Sequence, residues 1–567
     1  MSAKEARKIC LGGVFVVVNK GYGCVNESPV ACSGVDPAKP IAGLSVTFNA
    51  TGSYDPDGSG GINGIFKFEW DWENDGTYDH IETYPCDGIA THTFTSTGQK
   101  TVKIRVTDGE GAKDTTTRTF DVGNVIYVDV DSYPFHDGTT WVRAFVDIQD
   151  ALDIASNGNE IWVAEGTYVL SSGMSINKSI SIYGGFDGTE STLGDRDSFP
   201  GNTHTTTVDG DGSVSTCLLL TDDATIDGFT ITNGNHGVFC SEADPTITNC
   251  IITGNGFSTG SGIYCSHSSP TITDSSISSN GKRGMSCYSS SAPTISNCVF
   301  SGNTGGGLYC STSSSPTIED CVFSGNTAEK GGGIYCFSST AMVRRCVFYE
   351  NRATYDSEYD SKAAGGGVYY SDSSVTLLNC LFIGNYCDYG DGGAVVSWSN
   401  EGTLYWTNCT FVENDARYGG VLFTKSPGET KRLRNCILCG NTADDGHEIY
   451  SDNYSTYYHD YTKLYYCDVD NSSGWKYDDP EHGAHVELVE ENIFVDPVFL
   501  NENNPKGNDD EWATSDDGFM IQSTSECKDS GYNSYTYSPV YLLYDITATT
   551  SRRVGTVDRG AYEYDPN

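Results

Sequence analysis

The stretch Pro245-Thr-Ile-Thr-Asn-Cys250 decides the fold, because it returns again and again further along the chain. Copies follow one another at intervals of about 23 to 34 residues, and each interval holds three short segments with alternating apolar residues. Three short strands joined by small polar turns make one coil of a parallel β-helix, so the sequence predicts such a solenoid from about 125 to 500. The other copies are 270–275, 293–298, 316–321, 342–346, 376–380, 405–409 and 432–436.

Two further motifs recur at the same intervals as the first. Gly262-Ile-Tyr-Cys265 returns at 307–310 and 333–336 and, as Gly-Val-Tyr-Tyr, at 367–370. A Gly-Asn pair recurs as well, beginning with Gly254-Asn255. Neighbouring coils of a β-helix lie about 4.8 Å apart, so equivalent positions stack into columns.

The cysteines of the repeats are therefore predicted to form two interior columns. Cysteine is small and readily buried, which suits a tight interior position. Disulfides between stacked coils are the alternative at this spacing. A third column, of turn asparagines, is predicted to link coils through amide hydrogen bonds. The first column holds Cys250, Cys298, Cys321, Cys346, Cys380, Cys409 and Cys436, the second Cys240, Cys265, Cys287, Cys310 and Cys336, and the third Asn249, Asn297, Asn379, Asn408 and Asn435.

Both ends of the solenoid carry non-repetitive sequence. Apolar residues recur at three and four positions from Trp141 to Ala155, which predicts an amphipathic helix that covers the first coil and ends near Asn157-Gly158. The acidic segment 501–567 is predicted to cap the last coil.

Residues 28–123 are predicted to be a separate β-sandwich domain. Period-two strands such as 44–49, 65–71 and 100–107 are separated by turns every 8 to 12 residues. Residues 1–27 are either a weak signal-like segment or an apolar strand. The whole chain is thus expected to be all-β, with the solenoid assigned to 124–500.

The sequence of residues 28–123 resembles that of a PKD domain, an immunoglobulin-like module of extracellular proteins. The resemblance rests on 52–58, on Glu69-Trp-Asp-Trp72, on 98–106 and on Asp108-Gly109. The remainder, including 126–131, 160–168, 182–186, 492–499 and 557–564, resembles bacterial surface proteins with right-handed parallel β-helix repeats, which share features with polymorphic outer-membrane-protein-like adhesins. This resemblance implies an extracellular or bacterial cell-surface location and says little about activity.

Charge narrows the range of partners. The chain has 33 Lys and Arg against 76 Asp and Glu, a formal net charge of −43. Phosphate binding needs cationic side chains, so nucleic acid and anionic membrane surfaces are excluded as partners. The sequence contains no apolar run long enough to span a membrane.

Calcium is the ligand that the acidic motifs favour. Asp71, Glu73 and Asp75 occupy positions 1, 3 and 5 of a loop whose sixth residue is glycine, the first half of an EF-hand-type loop. Asp79, Asp55 and Asp57 would add oxygens if the sandwich brought them close. The alternative is that these Asp-Gly sequences are simply good turns.

Catalysis has one candidate region and sugar stacking another. The insertion around 350–362 supplies Glu350, Asp356, Glu358 and Asp360 beside Arg345, the kind of mixed-charge patch that could wall a groove in a polysaccharide lyase or glycoside hydrolase. None of these residues stands in a recognisable catalytic motif. Aromatic rings suited to stacking on sugars occur at Tyr454, Tyr457 and Tyr458, although a loop that packs its own rings would look the same.

Three functions remain open. The favoured one is a non-enzymatic surface or matrix protein that binds glycans or cells, with the PKD module as a spacer. The second is a secreted polysaccharide lyase or hydrolase with a groove on the β-helix. The third is a subunit that self-associates into fibres or a lattice through an uncovered coil.

Overall fold

The structure is a computed structural model of the 567-residue chain. It forms two compact units, one with the N-terminal sandwich and one with the β-helix. The residues it describes are 5–11, 14–20, 28–36, 40, 45–56, 63–122, 125–132, 138, 140–196, 203–355, 363–398, 402–425, 429–452, 460–470, 476–478, 484–499, 504, 506, 521–522 and 524–527.

The sandwich has two antiparallel sheets around an aromatic core. Its four-stranded sheet has the order His80–Thr83, Ile65–Asp71, Gly98–Asp108 and Lys113–Val122, and its three-stranded sheet the order Gly34–Asp36, Ser45–Asn49 and Ile89–Thr93. Alternate residues of both sheets point inward, and Phe48, Phe68 and Trp70 are fully buried between them. Near the N-terminus, Glu5–Leu11 pairs antiparallel with Val14–Lys20, which is the strand alternative for that segment.

The described part of the second unit is built from three long parallel sheets, as predicted. Each coil contributes one strand to each sheet, and strand pairing joins equivalent motif positions, such as Ile247 with Ile272. Sheet 1 contains Val125–Val128, Glu160–Ala164, Ser181–Phe186, Thr225–Asp227, Thr246–Thr248, Thr271–Thr273, Thr294–Ser296, Thr317–Glu319, Thr340–Arg344, Ser374–Leu378, Gly402–Thr407, Glu429–Arg434, Asp460–Tyr465 and Ala484–Glu490.

The other two long sheets complete the coil. Sheet 2 contains Gly166–Val169, Thr206–Asp209, Phe229–Thr232, Ile251–Thr253, Ser276–Ser278, Val299–Ser301, Val322–Ser324, Val347–Tyr349, Leu381–Ile383, Thr410–Val412, Ile437–Cys439 and Asp468–Val469. Sheet 3 contains Met174–Ile176, Thr216–Leu220, His236–Ser241, Ser261–Ser266, Arg283–Tyr288, Leu308–Ser311, Ile334–Phe337, Val368–Ser371, Val395–Trp398, Leu422–Thr424, Ile449–Ser451 and Lys476–Asp478.

The later coils have a fourth short strand, which the three-strand prediction did not include. Sheet 4 lies between sheets 2 and 3 in the chain and consists of Thr327–Ala328, Arg352–Ala353, Tyr386–Cys387, Asp415–Tyr418 and Thr442–Asp445. Its small inward residues, among them Ala353 and Cys387, form a minor core of their own.

The helix predicted from Trp141 to Ala155 is shorter than expected. A 3-10 turn covers Trp141–Arg143, and the α-helix covers only Ile148–Ile154, with Asp147 as its N-cap. Phe145 interrupts the helix because its backbone exchanges hydrogen bonds with Tyr127 and Asp129 and forms a bridge with Val128. Another 3-10 turn covers Leu193–Asp195. No described helix is long and apolar enough to cross a bilayer.

The cysteine columns are present, and every cysteine whose side chain is described is a free thiol. Cys240, Cys265, Cys287, Cys310 and Cys336 occupy one register position of sheet 3, all fully buried. The other column follows sheet 1, where Ser275 takes the place of a cysteine and donates to a backbone carbonyl, as its thiol neighbours do.

A second, buried asparagine column is the main polar feature of the interior. Its members are the asparagines of five Gly-Asn pairs together with Asn280, Asn351 and Asn414 at the equivalent position. Each amide nitrogen donates to the side-chain oxygen of the next coil and to a main-chain carbonyl, as Asn303 does to Asn326 at 2.8 Å. The last member, Asn441, donates to the buried carboxyl of Glu448 at 2.8 Å. The column is Asn255, Asn280, Asn303, Asn326, Asn351, Asn385, Asn414 and Asn441.

The predicted turn column of asparagines is partly exposed at Asn249 and Asn297 and buried from Asn379 onward. Asn249, Asn297, Asn379, Asn408 and Asn435 all have positive φ, the left-handed conformation that asparagine tolerates. Asn408 donates to Asn379, and Asn435 to Asn408, each at 3.1 Å.

Only a small part of the predicted C-terminal cap lies among the described residues. Phe499, Ile521 and Cys527 pack against outward-facing apolar residues of sheet 2, including Leu381 and Ile437. The rest of 501–567, apart from a few isolated positions, is outside the described residues.

Candidate functional site

One outward face of sheet 3 carries a continuous run of aromatic rings. In the motif Gly262-Ile-Tyr-Cys265, isoleucine and cysteine point into the core, so the tyrosine between them points out. The same alternation repeats in successive coils. The resulting aromatic column consists of Phe239, Tyr264, Tyr288, Tyr309, Tyr335 and Tyr369.

The rings of the aromatic column touch one another at every step. Centroid distances between successive rings run 4.8, 5.1, 5.4, 5.0 and 5.0 Å. At the coil where Ser286 occupies the register position, the nearby Tyr288 supplies the ring. Six positions at the coil spacing make a strip roughly 24 Å long. Most rings are half-buried, so each presents an edge, part of a face or a hydroxyl to solvent.

Burial disfavours ionisation of three phenols in this column. It raises the pKa of Tyr264, Tyr335 and Tyr369 above the ordinary tyrosine value, and neighbouring tyrosines reinforce the effect. At neutral pH these hydroxyls can therefore donate as well as accept hydrogen bonds.

A cleft of about 610 Å³ runs beside the aromatic column. Lys282, Arg283, Lys330, Glu329 and Tyr335 contribute its charged and aromatic lining, while Gly260 and Gly305 form bare parts of its wall. A Cβ on Gly260 would lie 1.7 Å from the carbonyl oxygen of Asn235, so only glycine fits at that point. We call this feature the cationic cleft.

Arg283 links the cationic cleft to the aromatic column. Its guanidinium lies 3.7 Å from the ring centroid of Tyr309, and its Nη1 donates to the Tyr288 hydroxyl at 2.9 Å. Lys330 lies 5.3 Å from the ring centroid of Tyr369. Cation–π contacts of this kind hold the positive groups against the aromatic surface.

A second cavity, of about 330 Å³, adjoins the first at Lys330. Its polar lining includes Asp391, Asp452 and Lys425, and the Lys425 amine lies 2.7 Å from Asp452. Aromatic residues, among them Trp398 and Phe423, supply the remainder. Together the two cavities and the aromatic column form a groove along sheet 3 that offers aromatic surface, hydroxyls and charges of both signs.

The two described members of the predicted catalytic set, Arg345 and Glu350, do not line this groove. Arg345 lies in the turn after sheet 1 and forms a two-pronged ion pair with Asp320, at 2.6 and 2.7 Å. Glu350 lies in the next turn, after sheet 2, where burial and this neighbouring carboxylate raise the pKa of Tyr349 to about 12. Asp356, Glu358 and Asp360 are outside the described residues. Catalysis by this set stays a prediction.

The Asp71 loop closes on its own backbone. Both oxygens of the buried Asp71 carboxylate accept main-chain N–H groups, from Asp75 at 3.0 Å and Gly76 at 2.9 Å. Asp79 accepts from the Trp72 N–H at 3.0 Å. Burial, reinforced by the Asp79 carboxylate, raises the pKa of Glu73. These contacts are those of a well-formed turn, and they engage oxygens that calcium would need.

Asp55 belongs to a different acidic group. Its carboxylate lies with those of Asp108 and Glu110, and one oxygen of each is within 4.8 Å of the others. Asp108 also accepts three main-chain N–H groups of its own turn, at 2.6 to 3.0 Å. Asp57 is outside the described residues. Calcium binding therefore stays a prediction, with two alternative positions on the sandwich.

The aromatic column was missed at the level of sequence, although its signal was present. The tyrosine of the Gly-x-Tyr-Cys motif repeats as regularly as the cysteine beside it. Period-two alternation places it on the opposite face from that buried cysteine. The tyrosines that were predicted to stack on sugars, Tyr454, Tyr457 and Tyr458, are outside the described residues.

Family comparisons agree with this architecture. The model of the PKD domain matches residues 26–122, and the model described as right handed beta helix region matches residues 201–341 and 257–416. The molecule is thus an all-β protein of the kind that joins a sandwich module to a solenoid. In particular, it carries a PKD domain followed by a right-handed parallel β-helix. Both parts are typical of extracellular proteins.

Solved structures resemble the two parts separately. The PKD1 domain of Vibrio anguillarum Epp is 32% identical, with 17% of this chain and 96% of that one covered and a TM-score of 0.13. A structure of carbohydrate-binding modules of the beta-sandwich superfamily is 30% identical over 17% of this chain (TM-score 0.15), and the match spans only 35% of its own length.

Pectate lyase Pel9A is 13% identical, with 78% of this chain and 96% of that one covered and a TM-score of 0.43. No curated protein matches the chain.

Proposed function

We propose that the β-helix is an extracellular glycan-binding surface, and that an extended polysaccharide lies along the groove of sheet 3. The observation that carries this proposal is the aromatic column, six rings at coil spacing along one face, of which five are half-buried and Tyr369 is buried. Aromatic rings offer apolar area to the C–H faces of sugars, and their hydroxyls bind sugar oxygens.

The geometry suits a linear polymer better than a small ligand. The aromatic column is straight and roughly 24 Å long because each ring is fixed by the register of a parallel sheet. The two cavities open along the same side of it. A rigid, preformed surface binds a chain without first having to order itself.

The test is binding to a panel of soluble polysaccharides by affinity electrophoresis or calorimetry. Alanine at both Tyr309 and Tyr335 should weaken binding of the retained polymer by at least about tenfold, since two stacking rings are removed. Alanine at both Tyr54 and Tyr84, exposed tyrosines of the sandwich, is the matched control. If no polysaccharide binds, or if both pairs of substitutions act alike, the proposal is wrong.

Cleavage of the bound glycan is the second candidate. Two carboxylates, Asp391 and Asp452, line the second cavity, and paired carboxylates are what a glycoside hydrolase uses. The panel should therefore also be assayed for reducing ends and for unsaturated products. Products that appear with the unaltered chain and vanish with Asp391→Asn would replace the binding-only proposal with an enzyme.

Self-association into fibres or a lattice remains the third possibility. It is tested by sedimentation velocity across a range of protein concentrations, with and without calcium. A particle mass that stays that of one chain would exclude it under those conditions.

A further inference from the structure

The cationic cleft concentrates positive charge in a strongly acidic protein. The chain has a formal net charge of −43, yet Lys282, Arg283 and Lys330 all line one cleft of about 610 Å³. Glu329 is the one carboxylate among the described residues that line it. This local excess of positive charge does not follow from the composition of the chain.

Within the described part of the chain, no carboxylate lies within ion-pair distance of Lys282, Arg283 or Lys330. Several other basic residues of the β-helix instead form a short ion pair with a carboxylate of a neighbouring coil. Examples are Arg196 with Asp227 at 2.5 Å, Arg345 with Asp320 at 2.6 Å, Arg352 with Asp388 at 2.6 Å and Lys463 with Glu487 at 2.9 Å.

The spacing of the cations follows the coils. Lys282 and Arg283 belong to the coil of strand Arg283–Tyr288, and Lys330 precedes strand Ile334–Phe337, two coils further on. Two coil steps are roughly 10 Å. Gly305, which lies on the coil between them, leaves the cleft open at that point. Positive groups therefore recur along the cleft in the direction in which a polymer would lie.

We infer that the groove selects anionic polysaccharides, whose carboxylate or sulfate groups lie on Lys282, Arg283 and Lys330 while their sugar rings contact the aromatic column. This inference rests on the proposed glycan-binding function and names its ligand class. The guanidinium of Arg283 offers paired donors to a planar carboxylate, and the two lysines offer point charges that suit either anion. Uncharged polymers gain only the aromatic contacts.

The test compares polymers that differ in charge alone. The probes are polygalacturonate against its fully methyl-esterified form, and dextran sulfate against dextran. We expect the full chain to bind at least one anionic member about tenfold more tightly than its neutral partner. Binding should weaken as sodium chloride rises from about 50 to about 500 mM, because salt screens exposed charges. The pair that shows the difference identifies carboxylate or sulfate as the recognised group.

Charge substitutions assign the effect to the cleft. Lys282→Gln together with Lys330→Gln should remove most of the preference for the anionic polymer, and Glu329→Gln should increase it. Lys103→Gln together with Lys113→Gln, on the sandwich, removes the same number of charges and should leave it unchanged. Arg283 is left in place because its contacts with Tyr288 and Tyr309 also shape the aromatic column.

The outcomes separate this inference from the function on which it rests. Equal binding of charged and neutral partners, or a preference that survives loss of both lysines, overturns the anionic selectivity and leaves glycan binding intact. Absence of binding to every polysaccharide of the wider panel overturns both.

Discussion

The buried asparagine column is predicted to hold the coils in register, and Asn326→Leu tests this. Asn326 is fully buried. Its amide nitrogen donates to the Phe300 carbonyl at 2.8 Å and to the Asn351 side chain at 2.9 Å. Its oxygen accepts from the main-chain N–H of Asn303 at 3.1 Å and from the Asn303 amide at 2.8 Å. Leucine has a similar size and can form none of these bonds.

The expected cost follows from what remains unpaired. The Asn303 N–H loses the acceptor it has in the column, a penalty of about 1–3 kcal/mol for a buried donor, and three further hydrogen bonds are lost at about 0.5–1.5 kcal/mol each. The free energy of unfolding should therefore fall by about 2.5 to 7.5 kcal/mol. Urea unfolding followed by circular dichroism would measure the change.

The matched control is Asn297→Gly, at an exposed position of the turn column. Asn297 has φ of 51°, a conformation that glycine adopts freely, and its amide makes one exposed bond to Asp274 at 3.2 Å. The control should cost less than about 1 kcal/mol. If Asn326→Leu costs no more than the control, the interior column does not stabilise the stack and the reasoning is refuted.

Three further predictions concern charge. Burial raises the pKa of Glu448, so the free energy of unfolding of the wild type should decline as pH rises from the unfolded pKa through this raised pKa. Glu448→Gln removes this decline, so its stability relative to the wild type should increase by about 1.4 kcal/mol per pH unit across that window, as urea midpoints at several pH values would show. Burial opposes ionisation of Glu69, but bonds to Arg105 and Lys67 lower its pKa overall, so the stability that it confers above the unfolded pKa is lost as pH falls through the lowered pKa. Glu69→Gln should therefore destabilise the sandwich by about 2 kcal/mol at pH 7 and flatten the pH dependence of its acid unfolding, as urea midpoints would show. Calcium should raise the melting temperature of the sandwich, because a ligand that binds only the folded state stabilises it. Whichever of Asp108→Asn and Asp75→Asn abolishes this shift identifies the site, and no shift with excess calcium would contradict calcium binding.

The β-helix could be predicted from the sequence because the same residue types recur at a regular interval. A cysteine that recurs at equal phase must occupy equal positions in every coil, and the pairing of Cys240, Cys265 and Cys287 confirms this. The fourth sheet also had a signal. From Asn326 onward, the second residue after each buried column asparagine has a small apolar side chain, as in Thr327-Ala328 and Arg352-Ala353. In the earlier coils, a glycine follows the asparagine within two positions instead.

The remainder could not be predicted because it depends on contacts between distant residues. Apolar spacing from Trp141 to Ala155 is compatible with one helix, but the backbone of Phe145 gains more from joining the sheet edge beside Val128. In the same way, the cationic cleft combines Lys282 with Lys330, which belong to no motif. Their proximity follows from coil stacking and not from local sequence.

Because each coil repeats the same column positions, the β-helix could lose or gain a whole coil without disturbing its neighbours. Asn303 and Asn326 are 23 residues apart and occupy equivalent positions, so removal of the segment between them would join one complete coil to the next with every column preserved. The groove would shorten by one step of about 4.8 Å, with its chemistry otherwise unchanged. Related chains could thus evolve grooves of different lengths by gaining or losing whole coils.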